Sequence, residues 1–249
     1  MSALTDRFMA VQERLEKAQK KAGREAETIR LVAVSKWHAP PAIVELAAFW
    51  ASLNGGGVAG LSAALPAFGE SYAQEAAEKI PLVTDALKKN NTLPPQWHFI
   101  GHLQSRKAKT VAGRFALVHS LESESLAAAL EKHTPAGQVQ PVLVQVNIGR
   151  EPQKSGVMPE NLEPFLITLG QYPRVAVQGL MAMPPYNPDG EFSRPFFTAL
   201  RALRDKAEDH LGLPLPLLSM GMSHDMEVAI EEGATIVRVG TDIFGPREY

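Results

Sequence analysis

In this chain of 249 residues, the residue that most directly suggests chemistry is Lys36, the last of Leu31-Val32-Ala33-Val34-Ser35-Lys36. A lysine closing an apolar run either snorkels to water or sits in a pocket where desolvation lowers its pKa. In the second case part of it is neutral, and a neutral amine attacks a carbonyl to form a Schiff base. Two further stretches carry hydrogen-bond donors. Ser219-Met220-Gly221-Met222-Ser223 is a small, hydroxyl-bearing turn leading into a helix, and Gly240-Thr241 offers the same donor types. Backbone N–H groups and hydroxyls converging near a positive helix end suit a phosphate. The competing reading is two ordinary turns, one with a serine cap. Arg238, within the apolar Val237-Arg238-Val239, needs an acceptor, either a structural carboxylate or a group on a ligand.

A ligand that meets both the lysine and the anion cradle carries an aldehyde at one end and a phosphate at the other, which describes pyridoxal phosphate. Were Arg238 to face its pyridine nitrogen, that nitrogen would stay unprotonated, because a guanidinium is effectively always charged. The ring would then be a weaker electron sink.

The elements that must position these groups follow from periodicity. Leu4, Phe8, Val11, Leu15 and Ala18 recur at helical spacing, predicting a helix over 3–21. Short apolar runs then alternate with helical patterns. Strands are expected at 31–36, 97–102, 115–120, 142–148, 175–181, 217–220 and 235–239. A second strand belongs somewhere in 58–68, after the break at Asn54-Gly55-Gly56-Gly57. Eight strands separated by helices imply parallel βαβ units, and a single (β/α)8 barrel domain over 1–249 with an extra N-terminal helix; an open doubly wound sheet is the alternative. The last strand has no full helix after it, a gap that the N-terminal helix could cover. In a barrel the reactive groups gather at the carboxyl ends of the strands. That places Lys36, Asn147, Met181, Ser219, Met222, Ser223, Arg238, Gly240 and Thr241 around one mouth.

Composition narrows the partners. With 25 basic against 27 acidic residues, the chain lacks the excess positive charge that nucleic-acid binding uses. It has no cysteine, which excludes disulfides and thiolate metal sites. His98 and His102 stand four apart, but a strand running into a loop is not the helical frame a metal pair needs. No apolar run reaches the length of a membrane span. The expectation is a cytoplasmic protein with a small-molecule ligand, no nucleic acid, no membrane and no metal.

Several blocks carry a family resemblance. Ala33-Val34-Ser35-Lys36, Phe68-Gly69-Glu70, Trp97-His98-Phe99-Ile100-Gly101-His102-Leu103-Gln104, Val146-Asn147, Lys154-Ser155-Gly156, Gly179-Leu180-Met181, Leu218-Ser219-Met220-Gly221-Met222-Ser223 and Val239-Gly240-Thr241 with Ile243-Phe244-Gly245 are similar to the pyridoxal phosphate homeostasis protein family. The resemblance implies a stand-alone barrel like the N-terminal domain of alanine racemase, and pyridoxal phosphate held as an aldimine on Lys36. It further implies phosphate contacts from Ser219, Ser223, Gly240 and Thr241, and Arg238 facing the pyridine nitrogen. Asn147, Met181 and Met222 are expected nearby. The sequence departs from the family pattern at Ser71, where the family has Asn, and over Gly55 to Pro66.

Two functions remain open on these residues. One is a carrier or regulator in vitamin B6 and amino-acid homeostasis, a monomer that hands its cofactor to apoenzymes. The other is a pyridoxal phosphate-dependent amino-acid racemase or lyase. A racemase with two bases needs a proton donor on each face of the bound substrate, and alanine racemase supplies one as a tyrosine from a second domain. Tyr72, Tyr172, Tyr186 and Tyr249 are the only tyrosines here, and none sits in a motif that places it opposite Lys36. The carrier reading is therefore favoured.

Overall fold

The computed structural model describes residues 2–54 and 65–246. Helix α1 (Ala3–Lys21) leads into β1 (Arg30–Val34), α2 (Pro40–Asn54), β2 (Ala67–Glu70), α3 (Ala73–Lys89), β3 (Gln96–Phe99), α4 (Ala108–Val111), β4 (Leu117–Leu121) and α5 (Glu124–His133). The chain continues through β5 (Gln140–Gln145), α6 (Leu162–Leu169), β6 (Val175–Met181), α7 (Arg194–Leu211), β7 (Leu217–Ser219), α8 (Met226–Glu231), β8 (Ile236–Val239) and α9 (Thr241–Phe244). The strands form a closed barrel in chain order. Every pairing is parallel, and β8 returns to β1 with Leu31 opposite Val237 and Ala33 opposite Val239.

The strands are mainly apolar because both of their faces are covered, one by helices and one by the barrel interior. Alternate side chains turn inward. Val32, Ala67, Leu117, Leu143, Met181 and Ile236 form a cluster inside the barrel. Their outward neighbours, among them Leu31, Ala33, Phe68 and Val118, join the helices in a larger shell. Residues two apart share a face, so the next inward positions after Leu117, Leu217 and Ile236 are His119, Ser219 and Arg238. There the buried interior becomes polar. Gly179 serves the closure: its φ is +153°, and a Cβ would lie 1.9 Å from the Leu217 carbonyl oxygen, so only glycine lets β6 and β7 run this close.

The expected barrel and its extra helix are present, with one adjustment. The second strand is Ala67–Glu70, at and beyond the end of the expected 58–68 stretch, most of which lies outside the described residues. Helix α3 runs without a break across Pro81. At the closing end, α9 is a single turn, and α1 packs on α8, α9 and α2. Phe8 on α1 meets the rings of Phe49 and Trp50, which fills the place a full final helix would take.

Candidate functional site

A cleft of about 250 Å³ opens at the carboxyl ends of β1, β7 and β8. It gathers Lys36, Met222, Ser223, Arg238, Gly240 and Thr241 from the residues expected in sequence, and adds His38, Tyr186 and His224. Among the described residues no carboxylate lines it. The cleft is thus a collection of donors with cationic character.

Lys36 sits on the turn after β1, and that turn is fixed from beneath by a buried ion network. Ser35 Oγ donates to Glu70 Oε1 at 2.7 Å. The Lys79 ammonium donates to the Ser35 carbonyl at 2.9 Å, to Glu70 at 2.9 Å and to Glu75 at 2.5 Å. Glu75 in turn accepts the Trp37 N–H at 2.7 Å, and Trp37 occupies left-handed backbone at φ +67°. A bulky residue there is strained and persists only where its surroundings hold it. Burial pushes the Glu70 carboxyl above its ordinary range, with Lys79 and Ser35 pulling the other way. Ser35, Glu70, Glu75 and Lys79 therefore position the lysine without lining the cleft.

The two donor turns are tied together by α1. Gly221 at φ +92° would bring a Cβ within 2.5 Å of Ala229 Cβ, so the turn after β7 needs glycine to sit against α8. Asp225 accepts the Met222 N–H at 2.7 Å and the Ser193 hydroxyl at 2.8 Å. Arg14 donates to the Ser223 carbonyl at 2.8 Å and to Glu227 at 2.6 Å, and it also pairs with Asp242 on α9. Arg7 adds a bond to the Ile243 carbonyl at 2.8 Å. Among the described residues neither the Ser223 nor the Thr241 hydroxyl has a protein partner.

Arg238 is almost fully buried. It donates to Ser219 Oγ and, at 3.1 Å, to the Ala182 carbonyl, and among the described residues it forms no salt bridge. Burial pushes its pKa down to about 10, which leaves it cationic at neutral pH.

Three expected site residues are not among the cleft's lining residues. Asn147 spends its amide on the loop after β5, donating to the carbonyls of Glu151 and Lys154 and accepting the Glu151 N–H. Met181 belongs to the apolar cluster inside the barrel. Ser219 lies behind Arg238, whose guanidinium donates to its hydroxyl. The two histidines of the β3 region part company: His98 is buried against His119, while His102 pairs with Glu122 and Ser155 at the outer rim. No sequence motif places a tyrosine opposite Lys36, but the structure brings Tyr186 to the same cleft, its ring 5.1 Å from that of His224. The Pro-rich loop that carries Tyr186 has no periodicity to give its direction. His38 and His224 had a weaker signal available, each being a near neighbour of a residue already singled out. Tyr249 lies outside the described residues.

An amine, two hydroxyls, a guanidinium and two imidazoles fit a small anion that also bears a carbonyl. Comparison with known proteins agrees with this architecture. Residues 8–248 match the family model described as alanine racemase, N-terminal domain. A pyridoxal phosphate homeostasis protein of Aquifex aeolicus is 41% identical over 98% of this chain and 98% of its own length. Among solved structures, an unknown protein from Bifidobacterium adolescentis superposes with a TM-score of 0.82 at 32% identity, over 97% of this chain and 94% of that one. PipY of Synechococcus elongatus PCC7942, solved with PLP bound, does so with a TM-score of 0.74 at 29% identity, over 97% and 100%. The chain belongs to the alanine racemase N-terminal domain family and, within it, to the group whose curated members are called pyridoxal phosphate homeostasis proteins.

Proposed function

We propose that this protein binds pyridoxal phosphate, carried covalently by the Lys36 ε-amine, and acts as a carrier in vitamin B6 and amino-acid homeostasis. Ser223, Gly240 and Thr241 hold the phosphate, and Arg238 meets the ring. Bound there, the cofactor supplies an electrophilic carbonyl and an electron-withdrawing ring. The chain's own residues retain it, orient it and limit that withdrawal, since a permanent guanidinium beside the ring nitrogen leaves the nitrogen unprotonated. The working unit is one barrel domain over 1–249, cytoplasmic and monomeric, with apoenzymes as recipients. No helix among the described residues is long and apolar enough to cross a membrane. The observation that carries this reading is the single cleft in which Lys36, Arg238 and the two unpartnered hydroxyls converge.

Hydride reduction of the cofactor-loaded protein followed by peptide mapping tests it. A pyridoxyl group on Lys36 is expected, and trapping on another lysine overturns the assignment. Tyr186 keeps a second reading alive, a pyridoxal phosphate-dependent amino-acid racemase or lyase with that phenol as the second acid-base group. Incubation with single amino-acid enantiomers separates the two. The carrier gives at most slow racemisation, whereas rapid turnover that is lost in Tyr186→Phe establishes the enzyme.

A further inference from the structure

Four side chains cross the barrel interior in one hydrogen-bonded file. Arg238 Nη1 donates to Ser219 Oγ at 2.5 Å. Ser219 Oγ lies 2.9 Å from His119 Nδ1, and His119 Nε2 lies 2.9 Å from His98 Nδ1. All four are buried. They come from β8, β7, β4 and β3, so the file runs from the wall of the cleft to the opposite side of the barrel.

The order of protons along it can be worked out. A guanidinium has only donors, so the serine oxygen accepts from Arg238. The serine's one proton then goes to His119 Nδ1, which places the His119 proton on Nε2, donating to His98 Nδ1. His98 ends with its proton on Nε2, an atom that is buried without a partner. The reverse order strands the serine proton as well as that same nitrogen, and each buried polar group left unpaired is costly. Burial keeps both imidazoles neutral, pushing His98 down to about 3 and His119 well below its ordinary value. Each histidine is then one donor and one acceptor, as a one-way file requires. Bonds in such a series polarise one another, so a serine that gives its proton away becomes a better acceptor for the guanidinium.

We propose that His119 is a positioning residue for Arg238: by accepting the Ser219 proton it locks the guanidinium against the cleft and sets how Arg238 meets the ring of a bound cofactor. The inference rests on the pyridoxal phosphate reading above. Without His119, the guanidinium keeps its bond to the Ala182 carbonyl but loses the strengthened one to Ser219.

The test compares wild type, His119→Leu, His119→Asn, Ser219→Ala and the double variant His119→Leu/Ser219→Ala, each titrated with pyridoxal phosphate and read by visible absorbance. Both His119→Leu and Ser219→Ala are expected to shift the absorption band of the bound cofactor and to weaken its retention roughly tenfold, the weight of one buried hydrogen bond to a charged donor. His119→Asn keeps an acceptor near the Nδ1 position and restores both. The double variant is no worse than either single one. If His119→Leu does not fold, the contrast between Ser219→Ala and His119→Asn carries the same comparison. Variants with wild-type spectra and affinity overturn the inference. Nitrogen NMR of the cofactor-free wild type gives a second readout: an unprotonated His119 Nδ1 is expected, and a protonated one overturns the file's order. A wild type that takes up no pyridoxal phosphate sinks the functional reading and the positioning role with it, whereas a loaded wild type with indifferent variants sinks the positioning role alone.

Discussion

The two sides of the barrel mouth are equally polar in sequence and differ in what their polar groups are doing. On the side built by β1, β7 and β8, the Ser223 and Thr241 hydroxyls have no partner among the described residues, and the supporting bonds come from behind, through Lys79, Arg14 and Ser219. On the side built by β3, β4 and β5, His102 and Asn147 spend their bonds on neighbouring protein groups, while Glu122 Oε2 lies buried with no hydrogen-bond partner among the described residues. His102 engages Glu122 at 3.0 Å and Ser155 at 3.2 Å, and Asn147 is fully used by its own loop. Burial raises the Glu122 carboxyl, against the pull of His102. What separates Ser223 and Thr241 from His102 and Asn147, all near the carboxyl ends of strands, is that the latter two are already engaged by protein groups.

The sharpest way to break this contrast is Lys36→Ala. If the β1 side holds the cofactor covalently, this variant loses its visible absorbance and all hydride-trapped label, while thermal unfolding of the cofactor-free protein barely moves. Persisting label at another site would transfer the function elsewhere. The next largest effect is expected beneath that lysine. Lys79→Met leaves Glu70 buried without its cation, and breaking a buried pair in this manner costs about 3–5 kcal/mol. For a chain of this size that lowers Tm by roughly 10 °C. Cofactor retention falls as well, because the Lys36 turn loses the bond to the Ser35 carbonyl. A normal Tm in calorimetry would show that the network is not what holds the turn.

Much of the barrel is legible in sequence, since runs such as Leu31–Val34 and Val175–Met181 are long enough and apolar enough to be strands buried on both faces. Lys36, Ser223, Arg238, Gly240 and Thr241 are legible for the same reason: each stands at the end of such a run or in the turn after it. What escapes is anything set by direction in space. Ser219 is one residue among five in a donor turn, and only the strand's inward parity sends its hydroxyl to Arg238. His119 sits in the middle of a strand with nothing local to mark it. The second strand is four residues, Ala67–Glu70, too short for its period to show, and its charged end residue is tolerated only because Lys79 arrives from the next helix.

A smaller effect separates the polar interior from the apolar shell. His98 and His119 are buried neutral with depressed pKa values, so the unfolded chain binds more protons than the folded one below the ordinary histidine value. Their contribution to stability is complete above about pH 6.5 and is lost as pH falls. The loss is about 1.4 kcal/mol per pH unit for each such group, and for His98 it continues down to about 3. Glu70, raised by burial, works in the opposite sense, losing its contribution as pH rises through its folded value. The clean measurement is therefore a difference. Urea unfolding of wild type and His98→Gln between pH 6.5 and 5 is expected to show a shallower pH slope in the variant, by about one proton. Equal slopes would mean that His98 is charged or solvated in the folded protein.

The smallest effect is expected from Asn147→Ala, and it bears on the far side of the mouth. The amide closes the loop after β5 through three bonds, two donated and one accepted, and both loop carbonyls remain near enough to solvent to be rehydrated when it is removed. The loss should be about 1 kcal/mol of stability, in line with loop-closing side-chain bonds, seen as a small fall in the urea midpoint with an unchanged slope. Affinity for pyridoxal phosphate should change less than about twofold. A tenfold loss with stability intact would mean that Asn147 turns toward the cofactor on loading. The two sides of the mouth would then close on the ligand together.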